Sequence, residues 1–218
     1  MIRSALALTL AASTASAAPV PFTETFNTSA FGWTNTANAA PGFSATGGAD
    51  GGGFIRTSFD LSNADPAFGA TLFRGNAANA ASGGAFTGNY LTAGIDSVSI
   101  RVRHDYANAP LNFFLRVATP GNFPAFIILS FQPVFAGQWT DLSFTLDPTS
   151  PLYVPEGPIS FASVAGNVGN LQVLVGRPAG IAAPTAVTFD LDQVRTIPTP
   201  GALAALGVLG LAAARRRR

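Results

Sequence analysis

The sequence predicts an all-β fold: an antiparallel β-sandwich (jelly roll) over residues 18–196, with an N-terminal signal peptide at 1–17 and a C-terminal hydrophobic helix within 197–218. Three observations carry that expectation. Short stretches alternate apolar and polar residues at period two, as strands with one buried face do. Clusters of Gly, Pro, Asn and Asp separate those stretches at roughly regular spacing. Between the two ends there is no convincing amphipathic helix, and a chain of 218 residues has room for one domain of ordinary size.

The elements follow in order. Thr23-Glu24-Thr25-Phe26-Asn27 reads as an opening strand that leads through Gly32-Trp33 to the glycine loop Gly47-Gly48-Ala49-Asp50-Gly51-Gly52-Gly53 and then to Phe54-Ile55-Arg56. The alternation is clearest from Asp96 to Arg103, where Val98, Ile100 and Val102 share one face and Ser97, Ser99, Arg101 and Arg103 the other. It recurs from Thr140 to Leu146 and from Val187 to Asp192. Leu111 to Val117, Ala125 to Phe131 and Leu171 to Val175 are more continuously apolar, as strands covered on both faces are. Ser82-Gly83-Gly84, Thr119-Pro120-Gly121-Asn122, Asp147-Pro148-Thr149 and Val154-Pro155-Glu156-Gly157 read as turns.

Composition excludes several functions. Charged residues are 11% of the chain, against about 25% in an average protein. Between Ala18 and Thr196 there are seven arginines against 11 acids, a net of −4, so no basic patch suggests nucleic acid. The absence of cysteine removes thiol catalysis, cysteine metal sites and disulfides, and leaves stability to the core. The Gly51 to Gly53 run has neither the lysine nor the following helix of a phosphate loop.

The ends read as targeting elements. Arg3, the apolar Ala5 to Ala12 and the small-x-small Ala15-Ser16-Ala17 make the three parts of a secretory signal peptide, which implies passage through the secretion translocon. Gly201 to Ala214 is apolar throughout and ends in the cluster Arg215, Arg216, Arg217 and Arg218. Its 14 residues would span roughly 21 Å as a helix, short of the ~30 Å hydrocarbon layer. The arginines would hold the terminus on the cytoplasmic side. Pro198-Thr199-Pro200-Gly201, the Ala/Leu/Gly run and the arginine cluster together resemble the PEP-CTERM sorting signal of Gram-negative, exopolysaccharide-producing bacteria, with Thr199 where that signal usually has Glu. The resemblance implies transient anchoring in the membrane by the tail, cleavage near the motif by an exosortase, and delivery to the cell surface or release; an uncleaved C-terminal anchor or a packed terminal helix is the alternative.

In the order of its features the domain also resembles the galactose-binding-like, carbohydrate-binding-module jelly rolls. That resemblance implies the jelly-roll sandwich more than any ligand, and extracellular polysaccharide is the candidate partner. Trp33, Tyr106 and Trp139, with Tyr90, are the candidates for stacking on a sugar ring; core packing is the other use of both tryptophans. Asp190 and Asp192, two apart on a strand, project from one face about 7 Å apart and are candidate calcium ligands. Glu24, on the apolar face of the opening strand, needs a partner. In the jelly rolls that this domain resembles, a structural calcium joins the first and last strands, and Glu24, Asp190 and Asp192 are the nearest counterparts; a solvated strand edge is the alternative. His104, the single histidine, adjoins Asp105, yet no Gly-x-Ser-x-Gly elbow accompanies it. The expectation is therefore a non-enzymatic surface protein that binds polysaccharide, with a purely structural matrix component and a secreted hydrolase as the alternatives.

Overall fold

Two six-stranded sheets make up the computed structural model, which describes residues 21–181 and 183–199. The strands are β1 (Phe22–Glu24), β2 (Thr34–Asn35), β3 (Gly42–Ser44), β4 (Phe54–Asp60), β5 (Ala70–Asn76), β6 (Ile95–His104), β7 (Phe113–Ala118), β8 (Ala125–Ile128), β9 (Thr140–Thr145), β10 (Tyr153–Glu156), β11 (Asn170–Val175) and β12 (Ala186–Pro198). Two single-turn helices, α1 (Tyr90–Ala93) and α2 (Phe161–Ala165), interrupt them, each capped by a side chain, Asn89 or Ser160, that accepts from a backbone amide of the first turn. The first sheet runs β3-β4-β12-β6-β9 with β1 added beside β12, and the second runs β10-β8-β7-β11-β5-β2. Both are antiparallel, so the expected sandwich is the fold observed.

The strand β12 organises the first sheet. Phe189 and Leu191 belong to the core, while Asp190 and Asp192 meet polar partners on the other face. Register then slips between Asp192 and Arg195, with Gln193 held at φ 47°, and beyond the slip Val194 and Thr196 are the buried residues. One inserted residue exchanges the two faces because side chains alternate at period two. The slip also divides one edge of the strand: β4 pairs with Ala186 to Leu191, and β1 takes Val194 to Thr196.

Between the sheets lies a core rich in phenylalanine. Phe26, Phe73, Phe86, Phe113, Phe126, Phe144 and Phe189 are all buried, together with Trp33. Trp33 packs edge-to-face on both Phe26 and Phe86, and Phe86 in turn on Phe22. Its indole N–H donates to Ser82 Oγ at 2.9 Å. Gly75 makes room for it, since a Cβ there would lie 2.8 Å from the Trp33 ring.

The structure departs from the sequence reading in three places. The strand β5 is hidden in the sequence, because Gly75 inside it resembles a turn and its own bulge at Leu72 buries Leu72 and Phe73 in succession. Val154-Pro155-Glu156, a turn by its sequence, belongs to β10, where the missing Pro155 N–H is tolerated because β10 is an edge strand. The apolar run from Ala125 remains a strand only to Ile128, after which Leu129 N–H turns to Leu152 O.

Of the expected tail, Pro198 ends β12 opposite Ile95, and Thr199 N–H donates to Gly94 O at 2.7 Å. Pro200, Gly201, the apolar helix and the arginines Arg215, Arg216, Arg217 and Arg218 lie outside the described residues, as does the signal peptide. Among the described residues no helix is long and apolar enough to cross a membrane.

Candidate functional site

The outer face of the second sheet carries one transverse row fixed by register. Thr34, Arg74, Gln172 and Arg116 stand opposite one another across β2, β5, β11 and β7, and the row continues through Ile127 and Val154. With strands about 4.8 Å apart, the backbones of Arg74 and Arg116 are roughly 10 Å apart, with Gln172 between them. Alternation dictates this placement: Leu171, Val173 and Val175 of β11 enter the core, as do Phe113, Leu115 and Val117 of β7, so Gln172 and Arg116 face away from it.

Over this row opens a cleft of about 640 Å³ that also takes in Phe68, Asn122, Phe123 and Glu156. Arg116, only 6% exposed, is nearly saturated. Its Nε and Nη2 donate to the Glu156 carboxylate at 2.7–3.0 Å, and Nη1 and Nη2 reach Asn122 Oδ1 and O at 2.8 and 2.9 Å. The chain of bonds continues from Gln172 Nε2 to Asn122 Oδ1 at 2.7 Å and from Thr71 Oγ1 to Gln172 Oε1 at 3.1 Å. Such a fully paired guanidinium and carboxylate hold shape without excess charge. Beside this polar floor stand two phenylalanines that the core does not need: Phe68 is 51% exposed and Phe123 63%, with the Arg116 guanidinium 4.9 Å from the Phe123 ring centre.

The outer face of the first sheet is built differently. Asp190, 4% exposed, accepts from Arg56 Nε at 2.6 Å and Nη2 at 3.0 Å, and from Arg103 Nε and Nη2 at 2.9 and 2.7 Å. Arg103 lies 4.5 Å from the Trp139 ring centre, and Trp139 packs edge-to-face on Phe54. Asp192, fully buried, accepts from Ala49 N–H in the glycine loop and from Gln193 N–H, and burial pushes its carboxyl pKa up.

The residues proposed from sequence are dispersed by this geometry. Trp33 is in the core, the other of its two uses, and Tyr90 is buried with its hydroxyl donating to Phe86 O. Tyr106 packs against the core, and Trp139, its indole N–H on Gly47 O, lies on the first sheet under Arg103. None of them lines the large cleft. Asp190 is committed to two guanidinium groups, Asp192 to two backbone amides, and Glu24 to Phe26 N–H at 2.9 Å. No group of three or more His, Asp or Glu able to hold a metal is found among the described residues.

The cleft residues Arg74, Arg116, Asn122, Phe123, Glu156 and Gln172 do not stand out in the sequence reading. The signal for two of them is present: Arg116 is the one charge in the apolar run Leu111 to Val117, and Gln172 the one polar residue in Leu171 to Val175. A charge or amide in an otherwise buried strand is either paired or functional.

Against known proteins, no family model matches the chain, and no curated protein does either. Solved structures do. The CBM22-1 and GH10 modules of a Clostridium thermocellum endo-1,4-beta-D-xylanase, complexed with xylohexaose, align with a TM-score of 0.50 at 16% identity, over 82% of this chain and 28% of that one. The CBM22-1 xylan-binding domain of a Paenibacillus barcinonensis xylanase aligns at 0.42 and 14% identity, over 85% and 99%. A family 11 carbohydrate-binding module of a Clostridium thermocellum cellulase aligns at 0.39 and 9%, over 84% and 97%. The two-sheet topology, with the likeness at 0.50, makes the fold a β-sandwich of the jelly-roll kind. These neighbours are carbohydrate-binding modules in whole or in part.

His104 is buried, its Nδ1 accepting from Tyr106 N–H and its Nε2 on Val134 O, which only the neutral Nε2–H tautomer satisfies at both atoms. Burial lowers its pKa from the usual 6.5. The unfolded chain therefore takes up the proton first, so this residue's contribution is complete above about pH 6.5 and is lost as pH falls towards the folded pKa. Asp192, with its raised pKa, acts with the opposite sign at lower pH. Thermal unfolding of wild type and His104→Asn is expected to show a stability gap that narrows from about pH 7.5 to about pH 5. A gap independent of pH would contradict the buried neutral imidazole.

Proposed function

We propose that this domain is a non-catalytic polysaccharide-binding module, exported and sorted to the cell surface, that takes its ligand in the cleft of the second sheet. The observation that supports this reading is the pairing of chemistries in one open groove. Phe68 and Phe123 offer exposed aromatic faces to the apolar C–H faces of sugar rings. In the same groove, Arg74 and Gln172, both on strands, and Asn122 offer polar groups to hydroxyls. The network from Glu156 to Thr71 pre-orders that floor, which limits the ordering cost of binding.

In this reading the signal peptide and the tail deliver the domain. The translocon exports it, the apolar run Gly201 to Ala214 holds it in the membrane for a time, and an exosortase cleaves near Pro198-Thr199-Pro200. Because Pro198 ends β12 and Thr199 bonds to Gly94, cleavage after Thr199 leaves the sandwich whole. Catalysis forms no part of the reading: the single histidine has both ring nitrogens engaged inside the fold.

Affinity electrophoresis against a panel of polysaccharides tests the cleft. Phe68→Ala and Phe123→Ala are each expected to weaken binding about tenfold, equivalent to about 1.4 kcal/mol. Stability should fall by no more than about 0.5–1 kcal/mol, because both rings are exposed. Undiminished binding by both variants, with loss in Trp139→Ala instead, would move the site to the first sheet. For delivery, the intact mass of material from the native cell surface is expected to match a chain ending near Pro200. Recovery of a chain that still carries Arg215, Arg216, Arg217 and Arg218 would contradict processing.

A further inference from the structure

Resting on that reading of the cleft, we infer that its ligand is an acidic polysaccharide, and that Arg74 receives the anionic group. The inference follows from where charge is left over. Of the seven arginines in the domain, Arg56 and Arg103 share Asp190, Arg101 pairs with Asp141, and Arg116 pairs with Glu156. Arg177 donates to the carbonyls of Ala64 and Ile181, and Arg195 to Thr23 Oγ1. Arg74 lines the large cleft and has no carboxylate partner among the described residues. Its one hydrogen bond there runs from Nη1 to the neutral Asn38 side chain.

Two further observations place the deficit at this point of the row. Arg74 Nε is buried with no hydrogen-bond partner, and so is the hydroxyl of Thr34, the residue directly opposite it on β2. They are the two such side-chain atoms among the described residues, and they belong to paired residues. A guanidinium with a sealed, unbonded N–H is destabilised by its surroundings, and an anion on its open side offsets that cost. The neighbouring charge adds to this: Arg116 stands two strands away, and Glu156, which lines the same cleft, is already bound by it. The three charged groups of the cleft therefore sum to one positive charge in a domain whose net charge is −4. Burial and the Arg116 charge both depress the Arg74 pKa, as expected for a cation lacking its counterion.

A neutral chain of sugars would leave this charge uncompensated. A carboxylate or sulfate substituent would accept from the terminal Nη groups of Arg74 while its ring packs on Phe68 or Phe123.

The test measures binding of the whole domain to polygalacturonate, to the same polymer after carboxyl reduction, and to dextran sulfate beside neutral dextran. Wild type is expected to bind an acidic polymer at least about tenfold more tightly than its neutral counterpart, with the advantage shrinking between about 50 mM and about 500 mM salt. Arg74→Gln should bring the acidic polymer down to the level of the neutral one, and Arg74→Lys should fall between, since it keeps the charge and loses the fork. Loss confined to polygalacturonate assigns a carboxylate; loss on both polymers assigns an anion in general. Cooperative unfolding of both variants checks that they fold. Equal binding of acidic and neutral polymers by wild type, or an acidic preference that survives Arg74→Gln, overturns the inference and leaves the cleft reading intact. Binding to none of the polymers overturns both.

Discussion

The bulge at Gln193 is the constraint on which the rest of the structure depends. The strand β12 must fill the core with Phe189 and Leu191 and then with Val194, followed by the buried Thr196, which no strict alternation permits. One residue at φ 47° resolves the conflict. Its consequences spread outward. It leaves Asp190 and Asp192 on the outer face, where one gathers Arg56 and Arg103 and the other accepts Ala49 N–H from the glycine loop. It also ends the pairing with β4 and makes room for β1, so the beginning and end of the domain close on each other. In a chain without cysteine, this closure and the phenylalanine core do what disulfides do elsewhere.

The two outer faces have been put to different uses. On the first sheet, the acids and arginines satisfy one another, and Trp139 is covered by Arg103. On the second, the network around Arg116 is equally complete, but Phe68, Phe123 and Arg74 remain with unspent capacity. Exposed rings occur elsewhere on the surface too, but at the cleft two of them stand beside a guanidinium that has no carboxylate partner among the described residues. That contrast, more than the likeness to any solved structure, directs the functional reading to the second sheet.

Much of the fold is legible in the sequence because burial on one face leaves a period of two, and Val98, Ile100 and Val102 display it plainly. The spacing of Asp190 and Asp192 shows that two carboxylates share a face, but no one-dimensional pattern could reveal Arg56 and Arg103 arriving from neighbouring strands to pair with Asp190. The cleft is less legible still. Its row is assembled from six strands scattered along the sequence, and β5, which brings Arg74, is disguised by Gly75. That glycine answers to the Trp33 ring rather than to a turn, a reason visible only in three dimensions. Tryptophan and tyrosine are the residues a sequence offers first as sugar platforms, whereas the exposed rings at the cleft are phenylalanines.

Whether the cleft takes a ligand is the central question, and backbone amide shifts read it directly. Titrating the isotope-labelled domain with an oligosaccharide cut from a polymer it binds should perturb β5, β7, β11 and the loop carrying Asn122 and Phe123, and leave the amides around Trp139 and Asp190 unmoved. Shifts confined to the first sheet would contradict a ligand site in the cleft.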